Sequence, residues 1–347
     1  MTTNIANTIS ATKARKASGW RRGRKIVLWI AAIAVAFTST LLAASAVAKA
    51  RLQAQHPPIG QLVDIGGYRL HLSCQGSGGP TVILESGAGV PGLNWALVQP
   101  EIAKQARVCW YDRAGLGWSD PSPRPRTAAI MADELDTLLH RAGIGGPYVL
   151  VGHSVGGVIA RQFALAHPRD VVGMVLVDSA TEQQSARFPA AINASLADAP
   201  RLLRLMSLAG DAGLLALFPG IFPLSAQLPA DAAATFQALV VSSGKLFRTS
   251  LAEMADTDAD PTPRPATLGN IPLVVLRHGR AVAPIKGDVT PEIAREYEAI
   301  WARMQGELAA LSPRGRVVVA EESGHSIQLD RPDAVIAAIR DVLAATR

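Results

Sequence analysis

The sequence predicts an α/β protein with a mainly parallel sheet, helices on both faces of that sheet, and a separate apolar helix ahead of it. Three observations support this prediction. Short, nearly continuous apolar segments alternate with helix-like segments, as they do when a parallel sheet is buried on both faces. An uncharged run precedes them at residues 26–48. After the apolar segment at 173–179, residues 180–268 lack a clear strand pattern, which indicates a helical insertion.

Positive charge is concentrated at the N-terminus. Residues 1–25 contain no Asp or Glu, and their basic residues outweigh the net charge of +6 carried by the whole chain. The rest of the chain is therefore close to neutral. We conclude that the basic composition belongs to the tail, and nucleic acid is not a predicted partner.

The uncharged run at residues 26–48, IVLWIAAIAVAFTSTLLAASAVA, is long enough to cross a bilayer as a helix. The basic residues before it predict a cytoplasmic N-terminus and an exported remainder. Ala46-Val47-Ala48 also fits a signal-peptidase site, so the alternative is a cleaved signal and a secreted or periplasmic product. We expect a single-pass anchor in the cytoplasmic membrane, because the apolar run exceeds the core of a usual signal peptide.

The predicted organisation has four parts. These are a basic cytoplasmic tail at 1–25, a membrane-spanning segment at 26–48, a linker at 49–60 and a folded domain at 61–347, with a lid at about 180–268. Within the domain, the first two strands lie in LVDIGGYRLHLSC and are joined at Gly66-Gly67 as a hairpin. Further strands are predicted at 81–86, 107–112, 148–154, 173–179, 272–279 and 316–322.

Helices are predicted between the strands and in the insertion. They cover residues 127–142, 155–167, 199–217, 230–255 and 331–345. The insertion follows one strand of a parallel sheet, so we expect it to lie above the carboxyl edge of the sheet. Ligands bind at that edge in such folds. The insertion is therefore predicted to be a lid.

A serine lies between a predicted buried strand and the helix that follows it. Gly152-His153-Ser154-Val155-Gly156 fits the pattern G-x-S-x-G. Glycine neighbours permit a tight turn that exposes the hydroxyl, and the N-terminus of the following helix favours negative charge beside it. Ser154 is the predicted nucleophile.

A serine nucleophile needs a base. His325, in SGHSIQLD, lies in a loop between the last predicted strand and the terminal helix, and that loop can place an imidazole at the carboxyl edge. We predict His325 as the base, with His278, at a neighbouring strand end, as the alternative.

A carboxylate is needed to orient the imidazole of the base. Asp178 ends the strand GMVLVD and is the predicted acid, and its alternative role is to cap the turn into the lid. Three other carboxylates stay open as alternatives: Asp288, Glu182 and Glu322.

The oxyanion of an acyl-transfer reaction needs N–H donors. The glycines of ESGAGVPGLNW, which follows the third predicted strand, allow backbone N–H groups to turn inward. The predicted donors are the backbone N–H groups of Ala88 and Val155.

Four segments occur in this order: ESGAG, YDRAGLGWSD, LVGHSVGG and SGHSIQLDRP. With them, the chain over about 61–345 resembles the α/β-hydrolase superfamily, in particular the alpha/beta hydrolase-1 type with its esterase, lipase and haloperoxidase-like branch. The resemblance implies an α/β-hydrolase fold with an eight-stranded sheet. It also implies the roles given above for the serine, the base and the oxyanion donors, with Asp112-Arg113 bracing the motif loops. Members commonly carry the acid beyond the strand after the lid, whereas others use the position that matches Asp178.

The resemblance also concerns the two cysteines. In this fold the second and fourth strands are neighbours, and Cys74 and Cys109 lie near the ends of those two segments. An exported protein can retain a disulfide between them. The alternative is two small buried thiols.

The sequence therefore predicts a carboxylesterase-like or lipase-like serine hydrolase that cleaves an apolar small-molecule ester without a cofactor or a metal. Perhydrolysis, as in haloperoxidase-like enzymes, and hydrolysis of carbon–carbon bonds are alternatives, and a slow-turnover ligand-binding receptor is an alternative of another class. Dehalogenation is disfavoured, because a serine stands where that route needs an aspartate. The apolar lid is predicted to line the acyl pocket with Leu214, Leu217, Phe218, Ile221 and Phe222.

Overall fold

The computed structural model describes residues 2–222, 227–259, 266–281 and 287–346. Within these residues eight strands form one sheet in the order β1-β2-β4-β3-β5-β6-β7-β8. The strands are β1 (Gln61–Asp64), β2 (Arg69–Gln75), β3 (Thr81–Glu85), β4 (Val108–Asp112), β5 (Tyr148–His153), β6 (Val171–Val177), β7 (Leu273–His278) and β8 (Gly315–Ala320). β2 pairs antiparallel with β1 and β4, and the other pairs are parallel. The mainly parallel sheet is confirmed.

The helices have the following bounds: α1 (Thr2–Gln55), α2 (Gln99–Ile102), α3 (Ala128–Arg141), α4 (Val155–Ala166), α5 (Ala190–Ser195), α6 (Ala199–Asp211), α7 (Ala230–Val241), α8 (Lys245–Ala259), α9 (Pro291–Ala309), α10 (Ile327–Asp330) and α11 (Pro332–Ala345). Short 3₁₀ segments cover Gly92–Trp95, Gln184–Arg187, Leu214–Leu217 and Pro219–Ile221. The predicted helices that became α3, α4 and α11 agree with the structure to within two residues. Helix α9 has no counterpart among the predicted helices.

Both faces of the sheet are buried, because successive residues of a strand point to opposite sides. On one side Leu150 of β5 packs with Leu135 of α3 and Phe163 of α4. On the other side Val151 packs with Ile339 of α11. The continuous apolar segments of the sequence are thus explained by helices on both faces.

A disulfide joins the two antiparallel strands near the sheet edge. Cys74 of β2 and Cys109 of β4 are direct partners in the strand register, and their sulfur atoms are bonded. The pairing implied by the family resemblance is therefore present.

The lid lies between β6 and β7 and is more broken than the sequence predicted. The predicted helix at 199–217 ends as α6 at Asp211, and Gly213 takes a φ of 74° before the 3₁₀ turn Leu214–Leu217. The predicted helix at 230–255 is divided into α7 and α8 at Ser242. Glycine adopts a positive φ at little cost, which explains the first break.

Helix α1 continues beyond the predicted membrane segment and packs against the lid. Its portion Arg24–Gln55 is apolar and long enough to cross a membrane, and it runs through part of the predicted linker. Ser45 of α1 is fully buried, and a Cβ atom on Gly213 would lie 3.1 Å from it. Near the end of this contact, Nδ1 of His56 lies 3.0 Å from Oγ1 of Thr235 in α7.

Candidate active site

Ser154 lies on a sharp turn between β5 and α4, with φ of 53° and ψ of −123°. This backbone conformation is strained for a residue that has a side chain. Three backbone bonds hold it: the N–H of Ser154 donates to Val177 O at 3.1 Å, and its carbonyl accepts from Gly157 N and Ala180 N, both at 3.0 Å. The turn is the elbow that the G-x-S-x-G pattern predicted.

The two glycines of the pattern are required by close backbone approach. A Cβ atom on Gly152 would lie 2.6 Å from the carbonyl oxygen of Gly156, and one on Gly156 would lie 2.5 Å from the carbonyl oxygen of Ser86. Both distances are well inside van der Waals contact. A side chain at Gly152 would push the start of α4 away from the end of β5, and one at Gly156 would push the elbow away from the loop after β3.

Asp178 follows β6 and is fully buried. Its Oδ2 lies 2.6 Å from Nδ1 of His325, and its Oδ1 accepts from the indole Nε1 of Trp301 at 2.9 Å and from the backbone N of His278 at 3.1 Å. Burial raises the pKa of Asp178, but hydrogen bonds from His278 and His325 outweigh burial and hold that pKa below its ordinary value. The carboxylate is therefore ionised at neutral pH.

The other candidate acids lie elsewhere. Asp288 and Glu322 are exposed, and Glu182 is 3.0 Å from the guanidinium of Arg161. The structure thus brings Asp178, and not these three residues, to His325.

His278, the alternative base, occupies the end of β7 and contacts the same carboxylate oxygen of Asp178 as His325 does. Its Nδ1 lies 2.7 Å from Asp178 Oδ2, and its Nε2 lies 2.8 Å from Oε2 of Glu298. Burial lowers the pKa of His278, but hydrogen bonds to the two carboxylates outweigh burial and raise it to about 9. Both ring nitrogens are used as donors, so His278 is a cation that braces Asp178 and is not available as a base.

Glu298 and Trp301 are site residues that sequence reasoning missed, because both lie on the unpredicted helix α9. A local signal for that helix exists in Thr290-Pro291. The hydroxyl of Thr290 accepts from the N–H of Ile293, and proline is favoured in the first helical turn. Through these two residues α9 contacts Asp178 and His278 on the side of the protein interior.

His153, beside Ser154 in the elbow, contacts the loop that carries His325. Its Nε2 lies 3.0 Å from the carbonyl oxygen of His325, and the two rings are 4.8 Å apart. Burial, with the nearby His325, lowers the pKa of His153 to about 3. A neutral His153 therefore donates from Nε2 and holds the backbone of His325 next to the elbow.

Arg113 holds the loop after β3, which carries one predicted oxyanion donor. The guanidinium is almost fully buried. Its Nη1 donates to Glu85 Oε1 at 2.5 Å and to the carbonyl of Ser86 at 2.7 Å, and its Nη2 donates to the carbonyl of Gly87 at 2.8 Å. These bonds fix the two residues that immediately precede Ala88.

The same loop is held on its other side by the lid. Glu253 of α8 pairs with Arg113 through two bonds of 2.7 Å and accepts the backbone N–H of Gly89 at 2.8 Å. Ala88 therefore lies between two anchored residues. In addition, Asp112 accepts from the backbone N of Gly92 at 2.8 Å, so the bracing by Asp112-Arg113 that the resemblance implied is present.

A cavity of about 240 Å³ opens beside Ser154. Ala88 and Val155, the predicted oxyanion donors, line it together with Ser154. Its apolar wall includes Phe188, Leu196 and Met254, from the beginning of the lid and from α8.

The predicted pocket residues of the lid are placed elsewhere. Leu214 and Leu217 belong to the 3₁₀ turn that packs on α1, Phe218 is 66% exposed, and the ring of Phe222 packs on Phe247 at 5.8 Å. The side chain of Ile221 lies outside the described part of the structure. Leu214, Leu217 and Phe222 thus contact α1 or the core of the lid, whereas the cavity is lined by the beginning of the lid and by α8.

The structure therefore brings together a serine on a strained elbow after β5, an aspartate after β6 and, in contact with that aspartate, a histidine from the loop after β8. The chain belongs to the alpha/beta hydrolase family, whose sequence profile matches residues 82–338. The fold is accordingly the α/β-hydrolase fold, and the protein is a member of a superfamily of hydrolytic enzymes.

Two relatives illustrate the range of the similarity. Uncharacterized protein YqjL of Bacillus subtilis (strain 168) is 29% identical over 78% of this chain and 86% of its own length. The probable transporter efuK of Hormonema carpetanum is 43% identical over 37% of this chain, which spans only 20% of that protein. Among solved structures, a thermophilic esterase from Thermogutta terrifontis superposes with a TM-score of 0.56 at 22% identity, covering 80% of this chain and 94% of its own. That likeness supports the fold.

Proposed function

We propose that this protein is a serine hydrolase that cleaves carboxylic esters, with Ser154 as nucleophile, His325 as general base and Asp178 as the orienting acid. The observation that carries the proposal is the 2.6 Å contact between Asp178 Oδ2 and His325 Nδ1 next to the elbow. This contact leaves Nε2 of His325 as the nitrogen that can serve the serine.

The chemistry follows from these positions. The hydroxyl of Ser154 attacks the ester carbonyl while Nε2 of His325 accepts its proton, and Asp178 stabilises the imidazolium that forms. The N–H groups of Ala88 and Val155 bind the oxyanion. The imidazolium then protonates the leaving alcohol, which leaves an acyl-enzyme on Ser154. Water attacks this ester with His325 again as base, and the carboxylic acid is released.

The wall of the cavity supports an apolar acyl group. Phe188, Leu196 and Met254 lie beside Ser154, and each methylene buried against such side chains contributes about 0.8 kcal/mol. That contribution corresponds to nearly fourfold in kcat/KM for each added carbon until the cavity is filled.

We also propose that α1 anchors the enzyme in a membrane, with the catalytic domain on the exported side. Cleavage after Ala48 would remove Ser45, which is buried against Gly213 of the lid. This contact favours a retained anchor over a cleaved signal. The disulfide between Cys74 and Cys109 agrees with an oxidising compartment.

The test uses the purified full-length protein in detergent. A fluorophosphonate probe should label Ser154, and p-nitrophenyl esters of increasing acyl length should be hydrolysed with kcat/KM rising from acetyl toward longer chains. The same preparation is assayed with a ring-fission diketone and for peroxide-dependent perhydrolysis, which represent the alternative chemistries. Labelling with turnover of the diketone and not of the esters would assign carbon–carbon cleavage. Ligand binding without any turnover would assign a receptor.

A further inference from the structure

The outer face of helix α6 exposes large apolar side chains. Leu202, Leu205 and Leu208 are 56%, 55% and 68% exposed, and their spacing of three residues places them along one side of the helix. The opposite side packs on α8 and on the residue before it, and a Cβ atom on Gly210 would lie 2.7 Å from the backbone N of Gly244. The leucines therefore point away from the lid core.

The contact between α1 and the lid sets the depth of this face relative to the membrane segment. Ser45, which is buried against Gly213, lies in the last turn of the uncharged run, about 4.5 Å before its end at a rise of 1.5 Å per residue. Gly213 is therefore held at the level where the membrane segment leaves the hydrocarbon. Leu208 and Phe218 lie five residues before and five residues after Gly213, so both belong to the part of the lid that adjoins α1.

The charges on this side of the lid fit a lipid surface. Arg201 and Arg204 are exposed on α6 among the leucines. An arginine can bury its stem in the interface and keep its guanidinium at the phosphates. Helices that combine an apolar face with basic residues lie in the plane of a bilayer interface.

We propose that the exposed face of α6, together with Phe218, docks on the lipid bilayer that holds α1. The occupant of this surface is the outer leaflet of that membrane, because the surface continues directly from the membrane-spanning helix. The proposal rests on the membrane anchoring proposed above.

Docking would also specify the source of the substrate. Leu196, in the cavity wall, directly follows α5 and lies three residues before α6 begins at Ala199. The cavity wall thus continues into the docked face. An ester with a long apolar tail that is dissolved in the membrane would enter beside α6, whereas a short water-soluble ester needs no membrane.

The first experiment measures depth without using activity. Leu205→Cys, Phe218→Cys and the control Val317→Cys on β8 are each labelled with the fluorophore NBD in the full-length protein. Each is reconstituted into vesicles of phosphatidylcholine and phosphatidylglycerol with or without nitroxide-labelled lipid. Val317 is a suitable control because it is an exposed apolar residue outside the lid, and Phe37→Cys in the membrane segment is the positive reference.

We expect nitroxide lipid to quench the probes at 205 and 218 nearly as strongly as the probe at 37, and to leave the probe at 317 unquenched. Quenching at 205 and 218 no greater than at 317 would overturn the proposal, and would leave a partner protein or a second copy of the chain as the occupant.

The second experiment separates docking from catalysis. The double variant Leu205→Glu/Leu208→Glu should lose most hydrolysis of a long-chain ester embedded in vesicles and retain hydrolysis of a soluble acetyl ester, whereas Val317→Glu should retain both. Undiminished hydrolysis of the embedded ester by the double variant would contradict the proposed entry route. If the unmutated protein hydrolyses neither ester, the proposed function fails, and the quenching experiment still decides the docking.

Discussion

Asp178 and His278 form a buried ion pair in which Oδ2 of the carboxylate lies 2.7 Å from Nδ1 of the imidazole. The same oxygen lies 2.6 Å from Nδ1 of His325. One carboxylate oxygen therefore serves two imidazoles, and Glu298 at the far nitrogen of His278 compensates for the added positive charge. The end of β7 is occupied by a positively charged side chain that braces Asp178, which follows β6.

The ion pair predicts a pH-dependent contribution of His278 to stability. Its pKa is about 9 in the folded protein and about 6.5 when unfolded, so protonation stabilises the folded state. The contribution is complete below about pH 6.5 and is lost as the pH rises through about 9. Thermal unfolding should therefore show a Tm difference between the unmutated protein and His278→Gln that shrinks over this range. The exposed His140 is the matched control, and a difference for His140→Gln of the same size and pH course would contradict the assignment.

Ser154→Ala should remove acyl transfer while the fold persists, because the hydroxyl sits at the mouth of a cavity. The residual acceleration over water should be at most about 10³–10⁴-fold. Ester hydrolysis and fluorophosphonate labelling measure the loss, and an unchanged Tm shows that the variant is folded. Turnover at the unmutated rate would disprove the assignment of the nucleophile.

Asp178→Asn and Asp288→Asn form a matched pair that tests the acid. The first change removes the charge that holds the tautomer of His325, so kcat should fall by a factor on the order of 10⁴. The second changes an exposed side chain and should leave kcat close to that of the unmutated protein. Both are compared by steady-state ester hydrolysis, with Tm measured in parallel. A larger loss for Asp288→Asn would transfer the role to that residue.

Arg113→Lys should loosen the loop that carries Ala88. Lysine keeps the charge, but a single ammonium cannot bind Glu85, Glu253 and two backbone carbonyls at once. We expect kcat to fall by up to about 10²–10³-fold, the range for loss of one oxyanion donor, with a smaller change in KM. Arg124→Lys, in an exposed pair with Asp133, is the control. Equal effects of the two substitutions on kcat would show that the loop does not depend on Arg113.

Removal of the disulfide should destabilise the domain without altering the site. Cys74 and Cys109 are separated by 35 residues, and the chain-entropy model gives a loss of about 3–4 kcal/mol for a loop of this size. The free energy of unfolding of Cys74→Ser/Cys109→Ser in urea, compared with that of the unmutated protein, measures this contribution. A Tm that is insensitive both to this change and to reducing agent would show that the bond contributes little.

The sequence by itself determined the order of the strands along the chain, the elbow and the apolar N-terminal helix. These features have local causes: continuous apolar segments, glycines around Ser154, and residues 26–48 without charge. Because the strand signal is local, the predicted strand bounds agree with the observed bounds to within about two residues. Helix α9 is not among the predicted helices. Thr290-Pro291 marks its beginning, and Trp301, Met304 and Leu308 lie buried at helical spacing, so the local signal for this helix was present.

Only the tertiary structure decided which carboxylate meets His325, and which part of the lid lines the cavity. Asp178 and His325 are 147 residues apart, so their contact depends on the pairing of β6, β7 and β8 and is not encoded in either local segment. The lid residues from Leu214 onward are as apolar as a pocket requires, but apolar side chains pack equally well against α1 or against each other. The hydrophobic effect is non-directional, so an apolar segment does not by itself select its packing partner. The fold as a whole decides which surface covers that segment.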